Sequence, residues 1–260
     1  MTERAPAGVD ANKPNIARIY DYMLGGKDNF AVDRAAAEQV LKAFPESREG
    51  ARQHREFLGN VVRFLAGEAG IKQFIDIGAG LPTQKNVHEV AQEVNPGARV
   101  VYIDNDPVVC VHGRALLANS PNVAMVEADL RELDDLWDRT LATGLIDPEE
   151  PVAVLLFAIL HFLEDPSEQV AEIRRRIAPG SYLGISHMVR RPAREDDVET
   201  VSSVYAASAP GFKARTVEEI KAFLGDFELI PQEKFVPLQV VARLSSIGWG
   251  GVGKSPEGNV

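Results

Sequence analysis

The sequence predicts an α/β fold in which a mostly parallel, seven-stranded sheet carries helices on both faces. From residue 71 onward, five short apolar runs alternate with stretches of helical period, a pattern typical of parallel strands joined by crossover helices. Near the end of the chain, ELIPQEKFVPLQVVARL predicts two strands with no helix between them. The closing strand should therefore run antiparallel to its neighbour.

Residues 14–68 precede the first strand and have a helical period only. In NIARIYDYMLGG, apolar side chains recur at spacings of three and four until a glycine pair ends the pattern. DRAAAEQVLKAF and ARQHREFLGNVVRFLA repeat the period on either side of Pro45. We therefore expect a helical cap over 14–68, preceded by a flexible tail at 1–13.

The core of the fold should occupy residues 69–245. Its buried parallel strands are predicted at 72–77, 99–103, 122–127, 152–157 and 181–187. The helix TVEEIKAFLGDF has Thr216 as its N-cap and Glu219 as the capping-box partner. The glycine-rich residues 246–260 lack an apolar period and predict a second flexible tail.

Composition argues against several classes of protein. No apolar run approaches the roughly 18 residues of a membrane span, and the start lacks a secretory signal, so we expect a cytoplasmic protein without a membrane partner. A single cysteine, Cys110, provides neither a disulfide nor a cysteine cluster, and no metal is expected. A net charge of -10 disfavours nucleic acid as a partner. The oligomeric state is left open.

The first strand ends in IDIGAG, a glycine turn before a helix. Such a turn places backbone N–H groups and a positive helix end beside a ligand. Leu81, Pro82 and Thr83 stand where a dinucleotide fingerprint would place its third glycine. The turn alone is a weak signal, and the ligand it predicts need not contain a pyrophosphate.

An acid lies within or just after each of the first three predicted strands. Asp76 lies inside an apolar strand, where a buried carboxylate requires a cationic or donating partner. Asp104 follows Gly80 by roughly the 20 residues at which an acid accepts from ribose hydroxyls. Asp129 could accept from an adenine amino group. Asp76 could instead be satisfied by backbone donors, and the other two acids could be helix caps, although Asp106 before Pro107 is the better cap.

These motifs resemble those of class I S-adenosylmethionine-dependent methyltransferases. The resemblance covers about residues 70–244 and rests on IDIGAG, YIDNDP, EAD at 127–129 and APGSYLGISH. RIYDYMLGGKDNFAVDRAAAEQVL further resembles a bacterial family of predicted S-adenosyl methyltransferases, long catalogued as a domain of unknown function. Two departures are Pro82 at the third glycine position and the lack of an acid in VAVLLFAILHF.

The resemblance implies a Rossmann-like fold and S-adenosyl-L-methionine as the cofactor. It places Asp76 near the methionine ammonium, the glycine turn beside the methionine portion and ribose, Asp104 at the ribose hydroxyls and Asp129 at adenine. The implied cofactor-binding residues in this part of the chain are Asp76, Gly78, Ala79, Gly80, Asp104, Asn105, Asp129 and Leu130.

The N-terminal motif supplies a further hypothesis. Tyr20, Tyr22, Gly25 and Gly26 would belong to a lid over the cofactor, with the glycine pair as its hinge. The alternative is an amphipathic helix that simply packs on the sheet.

The sequence contains fewer signals for the methyl acceptor than for the cofactor. His161 after the fourth strand and His187 at the end of the fifth are candidate catalytic bases, and each could instead be structural. No Asn-Pro-Pro-Tyr, Asp-Pro-Pro-Tyr or Pro-Cys motif is present, which favours a small-molecule acceptor over a nucleobase. The leading hypothesis is S-adenosylmethionine-dependent methyl transfer. The alternatives are an NAD-dependent oxidoreductase and a non-catalytic S-adenosylmethionine-binding protein.

Overall fold

A computed structural model describes residues 10–82, 85–117, 120–190, 195–206, 208–234 and 248–257. The strands are β1 Gln73–Ile77, β2 Arg99–Asp104, β3 Val123–Glu127, β4 Ala153–Phe157, β5 Tyr182–Met188, β6 Glu228–Leu229 and β7 Gly248–Lys254. The helices are α1 Ile16–Leu24, α2 Ala31–Ala43, α3 Ser47–Gly67, α4 Val87–Val94, α5 Pro107–Leu117, α6 Leu133–Ala142, α7 Ser167–Arg176, α8 Glu195–Tyr205 and α9 Val217–Ala222. None of these described helices is long and apolar enough to cross a membrane.

The strands form one sheet in the order β3-β2-β1-β4-β5-β7-β6. The first five strands are parallel, and β7 runs antiparallel to both β5 and β6. The predicted mostly parallel sheet with an antiparallel closing strand is therefore confirmed. Because β1 pairs with β2 on one side and β4 on the other, the strand order reverses at β1. The carboxyl ends of strands at such a reversal are where ligands bind in open α/β sheets.

Helices cover both faces of the sheet. One apolar cluster joins the sheet to α6, α7 and α9 through side chains such as Leu136, Ile173 and Ile220. A second cluster on the other face includes Phe57 and Val61 of α3, which are almost completely buried. The alternation of apolar runs with amphipathic helices thus predicts both layers correctly.

The cap joins helices that are distant in the sequence. Ile19 of α1, Val40 of α2 and Val201 of α8 belong to one buried cluster, so α8 completes a cap whose first helices were predicted. A buried ion pair between Arg18 and Asp33, 2.8 Å from Nε to Oδ2, fastens α1 to α2. The cap is therefore held by both apolar contacts and a paired charge.

The prediction of a flexible tail at 246–260 was wrong for residues 248–254, which form β7 between β5 and β6. The glycines reflect close packing, because a Cβ at Gly250 would lie 2.6 Å from the ring of Phe57. The second strand expected within 235–244 lies outside the described residues. Most of the expected tail at 1–13 lies there as well.

Candidate functional site

A cavity of about 550 Å³ lies at the carboxyl ends of the parallel strands. The segments after β1, β2 and β3 line one side of it, and residues of α1, α3 and α8 line the roof. Such a cleft is the expected position of a ligand in an open α/β sheet. The predicted site residues that line this cavity are Tyr20, Asp76, Gly78, Ala79, Gly80, Asp104, Asn105, Asp129, Leu130, His161 and His187.

The glycine turn is held tightly against β2. Gly78 N and Ala79 N both donate to Ile103 O, at 2.8 and 3.1 Å. Gly78 has φ +74°, and a Cβ there would lie 2.8 Å from Ile159, which also lines the cavity. Glycine is therefore favoured by the left-handed backbone and by the close approach of Ile159.

Asp76 is a buried carboxylate facing this cavity, with 5% of its surface exposed. No described residue donates a hydrogen bond to its side chain. Burial raises the pKa of Asp76 to about 7, the nearby charge of Arg55 opposes that rise, and Asp104 adds to it. A buried carboxylate that accepts from no described donor is stabilised by a cationic ligand, so the arrangement fits an ammonium group.

Asp104 is fixed by backbone donors. Its Oδ2 accepts from Gly80 N at 2.9 Å, and its Oδ1 accepts from Asp106 N at 2.9 Å. Burial nevertheless raises the pKa of Asp104 to about 6. Asp106 caps α5 through Val108 N, 2.6 Å from its Oδ1, as the sequence predicts. The capping role thus belongs to Asp106, which leaves Asp104 as an oriented acceptor at the cavity wall.

Asp129 has a different electrostatic environment. Asn105 Nδ2 donates to its Oδ2 at 2.8 Å, and Arg131 forms an ion pair with it at 2.5 Å. The hydrogen bonds from Arg131 lower the pKa of Asp129 to about 2, so this carboxylate is ionised at neutral pH. The acids at the carboxyl ends of β1, β2 and β3 therefore line one cavity, and among the described residues only Asp129 of these three has a cationic partner this close.

The roof contributes a chain of hydrogen bonds. Tyr20 Oη lies 3.0 Å from His54 Nδ1, and His54 Nε2 lies 2.7 Å from Ser186 Oγ. Ser186 Oγ also accepts from Ala158 N at 2.9 Å. Burial lowers the pKa of His54 to about 4, so its ring is neutral at pH 7. Sequence reasoning missed His54, although its spacing of three residues from Phe57 indicates the inward face of α3.

Three residues of the proposed lid lie away from the cavity wall. Tyr22 Oη donates to Glu38 Oε1 at 2.7 Å. Gly25 ends α1 with φ +84°, and a Cβ at Gly26 would overlap the carboxylate of Asp21. That buried carboxylate accepts from Asn29 Nδ2 at 2.8 Å. The glycine pair therefore has an evident structural role in ending the helix around Asp21.

The two candidate histidines differ in their hydrogen bonding. His187 Nδ1 donates to Met188 O at 2.8 Å, while its Nε2 accepts from Arg215 Nη1 at 3.0 Å. His161 is 7% exposed, and its Nδ1 has no hydrogen-bond partner among the described residues. Burial holds the pKa of His161 well below its ordinary value. A neutral imidazole with an unpartnered nitrogen can accept a proton or a hydrogen bond.

The sheet order, the antiparallel closing strands and the acids at the carboxyl ends of β1 to β3 define the fold of a class I methyltransferase. A family model described as S-adenosyl methyltransferase matches residues 2–235, and the chain belongs to this family.

Two solved structures are similar over nearly the whole chain. A protein from Thermobifida fusca YX assigned as a methyltransferase has a TM-score of 0.88 and 42% sequence identity, covering 96% of this chain and 98% of that one. A DUF574 family protein from Streptomyces avermitilis MA-4680 has a TM-score of 0.87 and 34% identity, covering 95% and 99%.

Curated relatives match over a shorter segment. A protein from Mycobacterium marinum (strain ATCC BAA-535 / M) assigned as an S-adenosyl-L-methionine-dependent methyltransferase is 28% identical over 155 residues, which is 57% of this chain. That match and one to a protein from Streptomyces fradiae span 46% and 34% of the lengths of those two relatives.

Proposed function

We propose that the chain transfers the methyl group of S-adenosyl-L-methionine to a small-molecule acceptor bound in the same cavity. The observation that carries the proposal is the placement of Asp76 in this cavity, as a buried carboxylate to which no described residue donates a hydrogen bond. The same cavity contains the neutral ring of His161. Family membership supports the cofactor assignment. The bound cofactor would supply an electrophilic methyl group carried on a sulfonium.

Different residues at the strand ends would bind different parts of the cofactor. Asp76 would hold the ammonium of the methionine portion, Asp104 the ribose hydroxyls, and Asp129 with Leu130 the adenine. Gly78 lets Ile159 pack against the turn at the cavity wall, because a Cβ at residue 78 would lie 2.8 Å from the Ile159 side chain. The predicted roles of Asp104 and Asp129 are supported by their positions at the cavity.

On the acceptor side, His161 would take the proton that the acceptor loses, because its Nδ1 has no partner among the described residues. We assign His187 a structural role, because both of its ring nitrogens are occupied. The Tyr20–His54–Ser186 chain would orient the acceptor within the neutral part of the cavity.

Calorimetric titration with S-adenosylmethionine, S-adenosylhomocysteine and NAD tests the cofactor. We expect micromolar binding of both adenosyl ligands, weaker binding to Asp104→Ala, and no binding of NAD. Preference for NAD would instead support the oxidoreductase alternative. The Thermobifida fusca and Streptomyces avermitilis proteins provide natural comparisons in the same titration.

Turnover separates the enzyme from a non-catalytic binding protein. S-adenosylhomocysteine release would be followed with a panel of small hydroxyl, amine and carbon acceptors. His161→Asn should lower turnover by about 100-fold or more while leaving S-adenosylhomocysteine affinity unchanged. Tight cofactor binding with no turnover across the panel would favour the binding-protein alternative.

A further inference from the structure

Two buried polar groups in the cavity wall have no hydrogen-bond partner among the described residues. One is the imidazole ring of His161, and the other is the hydroxyl of Tyr205 in α8. His161 is 7% exposed and Tyr205 is 9% exposed. Because buried polar groups in proteins are nearly always hydrogen-bonded, these two groups are available to bind a ligand in the cavity.

Aromatic rings surround both groups. The centroid of the Phe162 ring lies 4.4 Å from that of His161 and 5.3 Å from that of Tyr205. Phe212 stacks on Tyr205 at 5.5 Å and meets His161 edge-on at 5.8 Å. Further apolar side chains line the same cavity, namely Met23, Val40, Phe157, Met188 and Trp249. Walls of this kind bind a flat, apolar ring.

The surroundings of the two polar groups disfavour a charged acceptor. Burial is the main cause of the lowered pKa of His161, and the neighbours that add to it are His187, His54 and Arg215, none of which is an acid. Among the described residues no charge acts on Tyr205, whose pKa is raised by burial alone. The Arg215 guanidinium donates to backbone carbonyls and does not line the cavity. A charged acceptor would therefore lose its hydration without gaining an ion pair.

A hydroxyl group complements both His161 and Tyr205. It can donate to a nitrogen of the neutral imidazole and accept from the tyrosine hydroxyl at the same time. The lowered pKa of His161 also makes its ring a weak base. A weak base takes a proton more readily from a phenol, whose pKa is about 10, than from an aliphatic alcohol. An aromatic hydroxyl thus fits the polar groups as well as the walls.

We propose that the methyl acceptor is an uncharged phenol, whose ring lies against Phe162 and whose hydroxyl binds His161 and Tyr205. The inference rests on the proposed function and names its acceptor class. The phenol oxygen forms a bond to the transferred methyl carbon while the bond from that carbon to sulfur breaks. The electron pair of the broken bond stays on the sulfur of S-adenosylhomocysteine, and the phenol proton passes to His161. The second product is an aryl methyl ether.

Three phenols that differ in one distant group test the acceptor class. Para-ethylphenol is uncharged, tyramine carries an ammonium, and para-hydroxyphenylacetate carries a carboxylate. Each would be titrated into the protein saturated with S-adenosylhomocysteine, and each would be assayed for methylation. We expect para-ethylphenol to bind about 10-fold or more tightly than either charged phenol and to be methylated on oxygen. Equal or tighter binding of a charged phenol, or no binding of para-ethylphenol, would overturn the proposal.

The saturated analogue, ethylcyclohexanol, tests the need for an aromatic hydroxyl. It has neither a flat ring nor an acidic hydroxyl, so it should bind more weakly than para-ethylphenol and should not be methylated. Turnover of ethylcyclohexanol at the rate of para-ethylphenol would contradict the preference for a phenol.

Tyr205→Phe tests the hydroxyl contact directly. It should weaken the binding of para-ethylphenol by about fivefold and leave the affinity for S-adenosylhomocysteine unchanged. Tyr182→Phe is the matched control, because Tyr182 is 8% exposed but does not line the cavity, and it should bind both ligands as wild type does. An unchanged affinity of Tyr205→Phe for para-ethylphenol would count against the contact. If circular dichroism shows that Tyr205→Phe does not fold, the same two titrations of His161→Asn decide the question.

The outcomes separate this inference from the proposed function. If the wild type binds no adenosyl ligand, the proposed function fails and the phenol acceptor fails with it. If the wild type binds S-adenosylhomocysteine but not para-ethylphenol, or prefers a charged phenol, only the phenol acceptor fails.

Discussion

At the scale of single residues, the carboxyl group of Asp76, which we propose binds the cofactor, reduces the stability of the ligand-free fold. Burial raises the pKa of Asp76 from 3.8 to about 7. As the pH rises through this interval the carboxyl group ionises in the unfolded state first, so the free energy of unfolding falls. It stays lowered above pH 7, where the buried carboxylate is ionised as well. A ligand ammonium would offset this cost. Ligand binding and stability are therefore linked through one carboxyl group.

Asp76→Asn should stabilise the ligand-free protein at pH 8 by on the order of 2 kcal/mol, because the amide has no charge to desolvate. The gain should shrink at pH 5 and vanish below about pH 3, where the acid is protonated in both the folded and unfolded states. Thermal and urea unfolding at these pH values measure it. The same variant should lose S-adenosylhomocysteine affinity at pH 8, and a pH-independent stability change would contradict the account.

Gly78→Ala and Gly70→Ala form a matched pair, because both glycines have positive φ, +74° and +68°. Each should cost about 1 kcal/mol of stability for the left-handed backbone. Of the two, only Gly78→Ala creates a steric clash, since the added Cβ would lie 2.8 Å from Ile159. S-adenosylhomocysteine affinity should therefore fall in Gly78→Ala alone, and calorimetry that shows equal affinities would refute this reason for the glycine.

The sequence could predict the strand-end acids but not the roof residues. Asp76, Asp104 and Asp129 follow from strand ends, which parallel pairing brings to one edge. His54 and Arg55 lie in a helix whose period shows its inward face but not which polar side chains meet a cavity. The occupied nitrogens of His187 depend in part on Arg215, whose contact is set by tertiary folding.

At the scale of elements, the parallel strands agree with their predicted ranges to within a residue or two, because buried strands are apolar runs. The cap was predicted only in part. Its contact between α2 and α8 joins residues far apart in sequence, and no local period carries that pairing. The strand β7 was missed because a glycine-rich sequence is typical of a loop. Its glycines instead make room for neighbouring aromatic rings.

The lid hypothesis makes different predictions for the two tyrosines of α1, Tyr20 and Tyr22. If α1 forms a lid over the cofactor, Tyr20→Phe should lower S-adenosylhomocysteine affinity by about fivefold, because Tyr20 lines the cavity and its hydroxyl holds α1 to His54 of α3. Tyr22→Phe should leave affinity unchanged, since its hydroxyl binds Glu38 away from the cavity. Ligand-dependent protection of α1 amides in hydrogen exchange would show closure, and equal protection with and without ligand would contradict a moving lid.

At the scale of the whole molecule, β7 is the link between β5 and the edge strand β6. Ser255 N donates to Ser181 O at 2.8 Å immediately after β7, and Val252 is completely buried. Residues late in the chain are thus part of the central structure. The two apolar layers depend on this closure as well as on the parallel core.

Ending the chain after residue 247 should abolish cooperative unfolding, because it removes β7 and exposes the edge of β5. A chain ending after residue 257 is the control and should unfold as the complete chain does. Near-ultraviolet circular dichroism and thermal melts measure both. A cooperative, ligand-binding protein without β7 would show that this strand is dispensable.

The position of β7 also affects biosynthesis. During translation, the partner of β5 is absent until residues 248–254 leave the ribosome, long after β5 itself has emerged. For that interval the nascent chain has an open strand edge at the centre of its future sheet, which is a template for wrong pairing with other chains. Slow synthesis of residues 248–254 would therefore lengthen the period in which β5 can pair with another chain.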